Sequence, residues 1–231
     1  MGIKERHERD HEAVSRAILD AARELFVAEG FQNVSIRKIA ERIEYSPAAI
    51  YGYFPSKNDI FFALAEEGFR LLADPAAVRQ ILQSPHAPPI ERIRALFWRF
   101  YEFSRDQPQY FALMFIDRSV PRISREYERF AFARDLKQHI VEELRACIAA
   151  GELPATLDPF VAIRALTVSL LGVAVLRLSE RLAPGENPDL LASDVLDLTL
   201  AGLRAAVTPD SPRVVDRPVD PTSPVASAHA L

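Results

Sequence analysis

Between Ser35 and Lys57 four cations, Arg37, Lys38, Arg42 and Lys57, meet only two carboxylates, Glu41 and Glu44. That balance suits contact with a phosphate backbone, which needs a few well-placed cations and backbone N–H groups. Ser35 and Ser46 each stand where a helix can begin, so their hydroxyls can cap it and leave its first amides for phosphate. Pro47, Ala48, Ala49 and Gly52 are small enough to let a helix approach a groove, and alanine methyls can touch thymine methyls. Tyr51 and Tyr53 add hydroxyls beside them. Arg37 has the geometry for guanine, with a phosphate contact equally open. Lys57 can reach a phosphate or simply sit exposed at a helix start. The candidate DNA contacts are therefore Ser35, Arg37, Ser46, Pro47, Ala48, Ala49, Tyr51, Tyr53 and Lys57.

These residues need rigid supports. Ile36, Ile39, Ala40 and Ile43 share one face at helical spacing after Ser35. Ser46 followed by Pro47 reads as a cap with proline at the first helical position, where its missing N–H costs nothing. Ile50 and Phe54 then face inward, leaving Ala48, Ala49 and Tyr53 outward. Two short helices across a tight turn form a helix-turn-helix, whose second helix enters the major groove.

The stretch SIRKIAERIEYSPAAIYGYFPSK resembles the TetR family of bacterial transcriptional regulators. The family pattern of a cap before I-A, a turn, then S-x-x-x-[IL]-Y-x-[YH]-F-x-[SN]-K is matched by Ser35, Ile39-Ala40, Ser46, Ile50-Tyr51, Tyr53-Phe54 and Ser56-Lys57. The likeness is strong over about residues 12–73 and weak beyond. It implies a palindromic operator, repression as the default, a backbone contact by Tyr51 and an effector site in the second half. One departure stands out: Glu44 occupies the turn where the family usually has glycine. A left-handed conformation there would carry about 1 kcal/mol of strain.

The 231 residues are 49% hydrophobic with only eight glycines, and no long alternating run is visible. Such a chain builds a core, and its Ala, Leu, Arg and Glu favour helix. The expected class is all-α. The domain reading is a flexible arm over 1–11, a helix-turn-helix domain over 12–73 (the motif itself at about 36–55), an effector and dimerisation domain over 74–207, and a disordered tail over 208–231, where prolines recur among small and charged residues. Net charge is −4, and residues 1–73 hold ten Lys/Arg against twelve Asp/Glu. The acidic balance disfavours non-specific DNA and leaves recognition to the motif.

Along the chain, Ala13-Val14, Ala17-Ile18, Ala21-Ala22 and Leu25-Phe26 make one apolar stripe from about Glu12 to Glu29, stopped by Gly30. Ser56 and Asp59 resemble a capping box for the next helix. Asp74-Pro75 is a kink or a fresh start, and Ser84 to Pro89 reads as a linker. Further helices are expected at about 90–104, 107–115, 122–150, 159–182 and from Asn187. The run Ala165 to Leu176 is apolar nearly all round. It falls short of the roughly 20 residues of a membrane helix, so it must be covered by protein, and a partner copy is expected. Leu170, Val173, Ala174, Leu196, Leu200 and Leu203 are the candidate dimer interface. A homodimer would space two reading helices at ~34–36 Å, one duplex turn.

Aromatic residues gather on the middle helices. Ordinary core packing accounts for any one of them. Together, Phe69, Trp98, Tyr101, Phe111, Met114, Phe115 and Phe130 suit a pocket for a small hydrophobic or aromatic effector. Cys147, the single cysteine, reads as a buried hydrophobe or a redox sensor. His7 and His11 are four apart in the arm, and the remaining histidines are scattered. No phosphate-binding glycine loop, nucleophile elbow or paired metal histidines on a mid-chain helix are present, so no cofactor or catalytic role is expected. The N-terminus has no signal-peptide core. The whole reads as a cytoplasmic, nucleoid-associated regulator, with a ligand-binding helical protein or an enzyme without a DNA role as the alternative.

Overall fold

The computed structural model describes residues 3–84, 87–121 and 131–205, with the side chains of residues 3–5, 7, 8 and 131–133 outside the description. The described residues are helical throughout, without strands. The helices are α1 (Ile3–Glu29), α2 (Ile36–Arg42), α3 (Pro47–Tyr51), α4 (Lys57–Leu72), α5 (Pro75–Leu82), α6 (Pro89–Asp106), α7 (Pro108–Phe111), α8 (Ala131–Ala149), α9 (Pro159–Leu178) and α10 (Pro188–Arg204).

Each boundary has a local cause. The hydroxyls of Ser35, Ser46 and Ser56 accept the backbone N–H groups of Lys38, Ala49 and Asp59. Ser56 also donates its hydroxyl to the Asp59 carboxylate at 2.7 Å, so half of the expected capping box, the serine accepting the Asp59 N–H, is joined by a side-chain bond to the acidic residue. Asp74 accepts from Ala76 N–H ahead of Pro75, so Asp74-Pro75 opens a new helix. Gly30, at φ +81°, ends α1, and a single 3-10 turn at Phe31–Asn33 leads to α2.

Helix α1 starts at Ile3, well ahead of the apolar stripe. Lys, Glu and Arg dominate that first stretch, and straight-chain residues lose little freedom in a helix. The expected frayed arm is therefore the first turns of α1, and the His11 ring stacks on Tyr53 at 4.5 Å.

Helices α1 to α4 pack around Ile18, Phe26, Ile39, Ile50, Ile60 and Phe61, all nearly inaccessible to solvent. This small core is continuous with that of the second half, where α6 lies against α8, α9 and α10. Arg94 ties α6 to α10 through Asp197 at 2.7 Å and Ser193 at 2.9 Å. Glu152 accepts the N–H of Ile90 at 3.1 Å at the start of α6, and Arg92 pairs with Glu143 of α8 at 2.8 Å. After α7 the chain widens into a π turn, Ala112–Ile116, where the N–H of Asp117 reaches the carbonyl of Ala112 at 2.8 Å. Such turns recur at functional sites.

Two expectations about α9 and α10 change. First, Leu170, Val173, Ala174, Leu196, Leu200 and Leu203 are buried within the chain. They join α9 to α10 and to the rest of the core, so they are unavailable to a partner. The exposed apolar side chains are Val168 at 60% and Leu176 on α9, with Leu190 and Leu198, at 72%, on α10. A Cβ added at Gly172 or at Gly202 would meet nothing within 4 Å. Second, α9 is 20 residues long with mean hydropathy 2.0, enough by length and composition to cross a membrane. The uncharged run alone is shorter; the helix also takes in Arg164 and Arg177. Arg177 donates to the Ser104 carbonyl of α6, and α9 packs on α6, α8 and α10. It is one member of a helical bundle with one side uncovered.

Phe130 and the tail 208–231 lie outside the described residues, as do the start of the helix expected from Arg122 and Pro85-His86 of the linker.

Candidate nucleic-acid interface and ligand cavity

Helix α3 leans on the core through Ile50 and turns its other side to solvent: Pro47, Ala48 and Gly52 are exposed, Ala49 is half-exposed, and Tyr51 is 55% exposed. Side chains this short leave the backbone free to approach another surface. The turn before α3 passes through Glu44 at φ +59°, the left-handed conformation its position required. The N–H of Tyr45 bonds to the carbonyl of Ala40 at 2.9 Å and closes the turn. Glycine would take this φ without a side-chain penalty.

The cations divide into two groups. Arg37 pairs with Glu41 at 2.8 Å, Arg42 with Glu24 at 3.0 Å, and Lys38 with Glu29. Arg37 and Arg42 are well exposed, and water screens such pairs, so a phosphate can compete with the carboxylate. Lys57 differs. Its ammonium donates to the carbonyls of Phe31 at 2.7 Å and Val34 at 2.9 Å, and lies 4.2 Å from the centroid of the Phe31 ring. Burial lowers its pKa from the usual lysine value. Lys57 thus joins the start of α4 to the loop before α2, and two of its three donors are committed inside the chain. Tyr53 is half-buried under His11, so it is not the outward residue the spacing suggested.

Of the residues proposed for the pocket, Phe69 and Phe115 line a cavity of ≈ 170 Å³ between α4, α5, α6, α8, α9 and the π turn. Phe97, Phe100, Ile140 and Ile163 form much of the remaining wall. Phe111 is fully buried behind it, 5.3 Å from Phe100 and 5.0 Å from Phe115 between ring centroids. Met114 sits against Gly68 of α4. Trp98 and Tyr101 do not join this cavity. The Tyr101 hydroxyl donates to Asp189 at the start of α10 at 2.7 Å, and Trp98 packs on Tyr101 and donates to Glu102 at 3.1 Å. Val78 and Leu136 are shared with an outer cleft of ≈ 720 Å³, whose rim carries Arg70, Arg79, Asp135 and His139. Cys147 is buried, and burial, with Glu152 and Glu143 nearby, pushes its thiol up to about 12. That is the opposite of an activated thiolate. Among the described residues no cluster of His, Cys, Asp and Glu could hold a metal.

Sequence reasoning missed two features. Arg99 lines the cavity, and its Nε is buried without a hydrogen-bond partner. The signal was present: Arg99 follows Leu96 by three positions and precedes Phe103 by four, which places it at the apolar side of α6. The second feature links α1 to α7. Arg23 donates to the Tyr110 hydroxyl at 2.8 Å and to Gln109 at 2.9 Å, while Arg16 pairs with Glu67 of α4. Burial raises the Tyr110 pKa.

Residues 18–64 match the family described as bacterial regulatory proteins, tetR family. Residues 93–203 match the tetracyclin repressor-like C-terminal domain. The chain belongs to the TetR family. Among curated relatives, the HTH-type transcriptional repressor Rv1474c of Mycobacterium tuberculosis is 38% identical over 65 residues, 28% of this chain and 35% of that protein. The transcriptional regulator SrpR of Pseudomonas putida is 28% identical over 149 residues, 64% of this chain and 67% of that protein. The chain spans about a third of the length of the first curated relatives it matches, 35% of each. Solved structures share the fold. PfmR of Thermus thermophilus is 22% identical with a TM-score of 0.63, covering 80% of this chain and 98% of that one. FadR of Bacillus subtilis, in complex with stearoyl-CoA, is 17% identical with a TM-score of 0.65, covering 81% and 98%.

Proposed function

We propose that this TetR-family chain is a sequence-specific DNA-binding transcriptional regulator: a cytoplasmic, nucleoid-associated homodimer that represses at a palindromic operator and is released by a small, largely apolar ligand. The observation that carries it is the short α3, held by Ile50 and turning Pro47, Ala48, Tyr51 and Gly52 to solvent. No described residue covers that face, and a major groove admits a helix with side chains this small. Ser35, Arg37, Ser46, Ala49 and Tyr51 stand around it as phosphate or base contacts, with Tyr53 and Lys57 supporting from behind. The dimer forms through Val168, Leu176 and Leu198, where two helices from each copy make a four-helix contact.

The ligand reading is supported by the apolar cavity and by its seat against α4. Phe69 stands one residue from Gly68, which touches Met114 and Tyr110, and Lys57 begins the same helix under the head. Filling the cavity moves α4 and so the spacing of the two heads. By linkage, such a ligand binds more weakly to the DNA complex.

Selecting bound duplexes from a random pool tests the DNA reading. An inverted repeat with half-sites about one turn apart is the expected result. A pool that stays random, at salt concentrations where non-specific binding is suppressed, refutes it.

A further inference from the structure

We propose that the cavity takes a carboxylic acid with an apolar body, its carboxylate held by Arg99. This rests on the ligand-binding part of the proposed function and narrows it to one chemistry. The wall is almost entirely apolar: Phe69, Phe100, Phe115, Ile140 and Ile163 surround the space, Thr167 contributes a hydroxyl, and Arg99 is the one charged residue among those lining it. No carboxylate is among the described residues of that lining. Arg99 Nε is buried and has no hydrogen-bond partner, and no ion pair to Arg99 occurs among the described residues.

A guanidinium keeps its charge at any working pH. Arg99 is half-buried, and its Nε is shut off from water without a partner; leaving a charged donor so is costly, and a partner with two acceptor oxygens offsets that cost. A carboxylate fits: it accepts two parallel N–H bonds from one guanidinium. One cation matches one negative charge, which favours a monoanionic acid over a phosphate ester. Size sets the body. A dry cavity of about 150 Å³ accepts benzene, so ≈ 170 Å³ holds a phenyl-sized group or an equivalent length of alkyl chain. A longer body continues past Val78 and Leu136 into the outer cleft of ≈ 720 Å³.

The test compares two probes that share a body, 4-phenylbutyrate and 4-phenylbutan-1-ol, by calorimetric titration of the full chain without DNA. Wild type is expected to bind the acid about ten- to hundredfold more tightly than the alcohol, the range for hydrogen bonds to a charged group. Arg99→Gln should bring the acid down to the level of the alcohol and leave the alcohol within about threefold of wild type. Circular dichroism and thermal melting of Arg99→Gln establish that it folds; Arg99→Lys, which keeps the charge but loses the fork, is the second variant and should retain part of the preference. Equal affinity for acid and alcohol in wild type overturns the inference, as does a variant that weakens both equally. Binding of neither probe by a chain that still selects an operator overturns it too and leaves the DNA reading intact. Selective acid binding by a chain that selects no duplex supports it while refuting the DNA reading.

Discussion

Replacing Gly68 with alanine probes the contact through which the cavity reaches α4. A Cβ built on Gly68 would run into Met114 Sδ, and would lie 3.2 Å from Tyr110 Cδ1 and 3.4 Å from Tyr110 Cβ. In mid-helix, alanine gains about 1 kcal/mol over glycine from propensity alone. Overpacking a filled site costs about 1–3 kcal/mol. Half-buried Met114 must move its thioether out of the way and loses packing by doing so, whereas Tyr110, held by Arg23, need give only a few tenths of an ångström. The two effects leave Gly68→Ala about 1 kcal/mol less stable than wild type. Removing the thioether should reverse the sign. In a Met114→Ala background the same substitution meets only the tolerable Tyr110 contacts, and the propensity gain brings it to about neutral or better. The double-mutant cycle should therefore show a coupling of about 1–2 kcal/mol. Urea unfolding followed by helical circular dichroism reads it, at one fixed protein concentration because association contributes to stability. If Gly68→Ala shifts stability equally in both backgrounds, Met114 is not the group that confines α4, and the route from cavity to head does not pass through it.

Three further outcomes are expected. Leu198→Glu places a charge on the exposed α10 face; sedimentation should show the dimer giving way to monomer and operator binding falling at least about tenfold, with helical content unchanged. Lys57→Met should destabilise the fold by about 1–3 kcal/mol, since the carbonyls of Phe31 and Val34 lose their donor; a variant of unaltered stability whose operator affinity loses salt dependence would return Lys57 to phosphate contact. For Cys147, the folded thiol titrates near 12 against 9 in its ordinary setting. The folded state therefore holds the proton over that interval while the unfolded state releases it, and stability falls as pH rises above 9, by up to about 1.4 kcal/mol per pH unit. The stability difference between wild type and Cys147→Ala, read by urea unfolding at about pH 8 and about pH 10, should shift by about 1 kcal/mol against wild type; no shift would mean the thiol is reached by water.

The head was legible because its signals are local. Three serine caps, Pro47 at a helix start and the spacing of Ile36, Ile39 and Ile50 depend on residues within one turn of each other, whereas the left-handed Glu44 was only suggested by the glycine that the family resemblance places there. What required the tertiary structure was the far side of each element. Lys57 looks solvent-bound in the sequence, yet the carbonyls it bonds lie 23 and 26 residues away. Helix α9 is apolar on every side, so its sequence contains no periodicity to say which leucines face inward; Leu170 and Val168 read alike until α6 and α10 are placed. The same holds for the aromatic residues of α6, where Tyr101 reaches α10 and Trp98 packs on it while Phe97 and Phe100 turn to the cavity. Spacing places Arg99 at the apolar side of α6, but that its Nε is buried without a partner shows only in the structure.

The π turn at Ala112–Ile116 has a consequence for how this stretch can vary. It seats one residue more than an ordinary helical turn would. Deleting a single residue there would restore regular winding and leave the chain on either side facing as before, because the wider turn is what absorbs the extra residue. The wall that Phe115 shares with Phe69 and Phe100 would then be one group shorter while the neighbouring helices stayed in register. This lining can therefore vary by one residue in length as well as in side-chain identity.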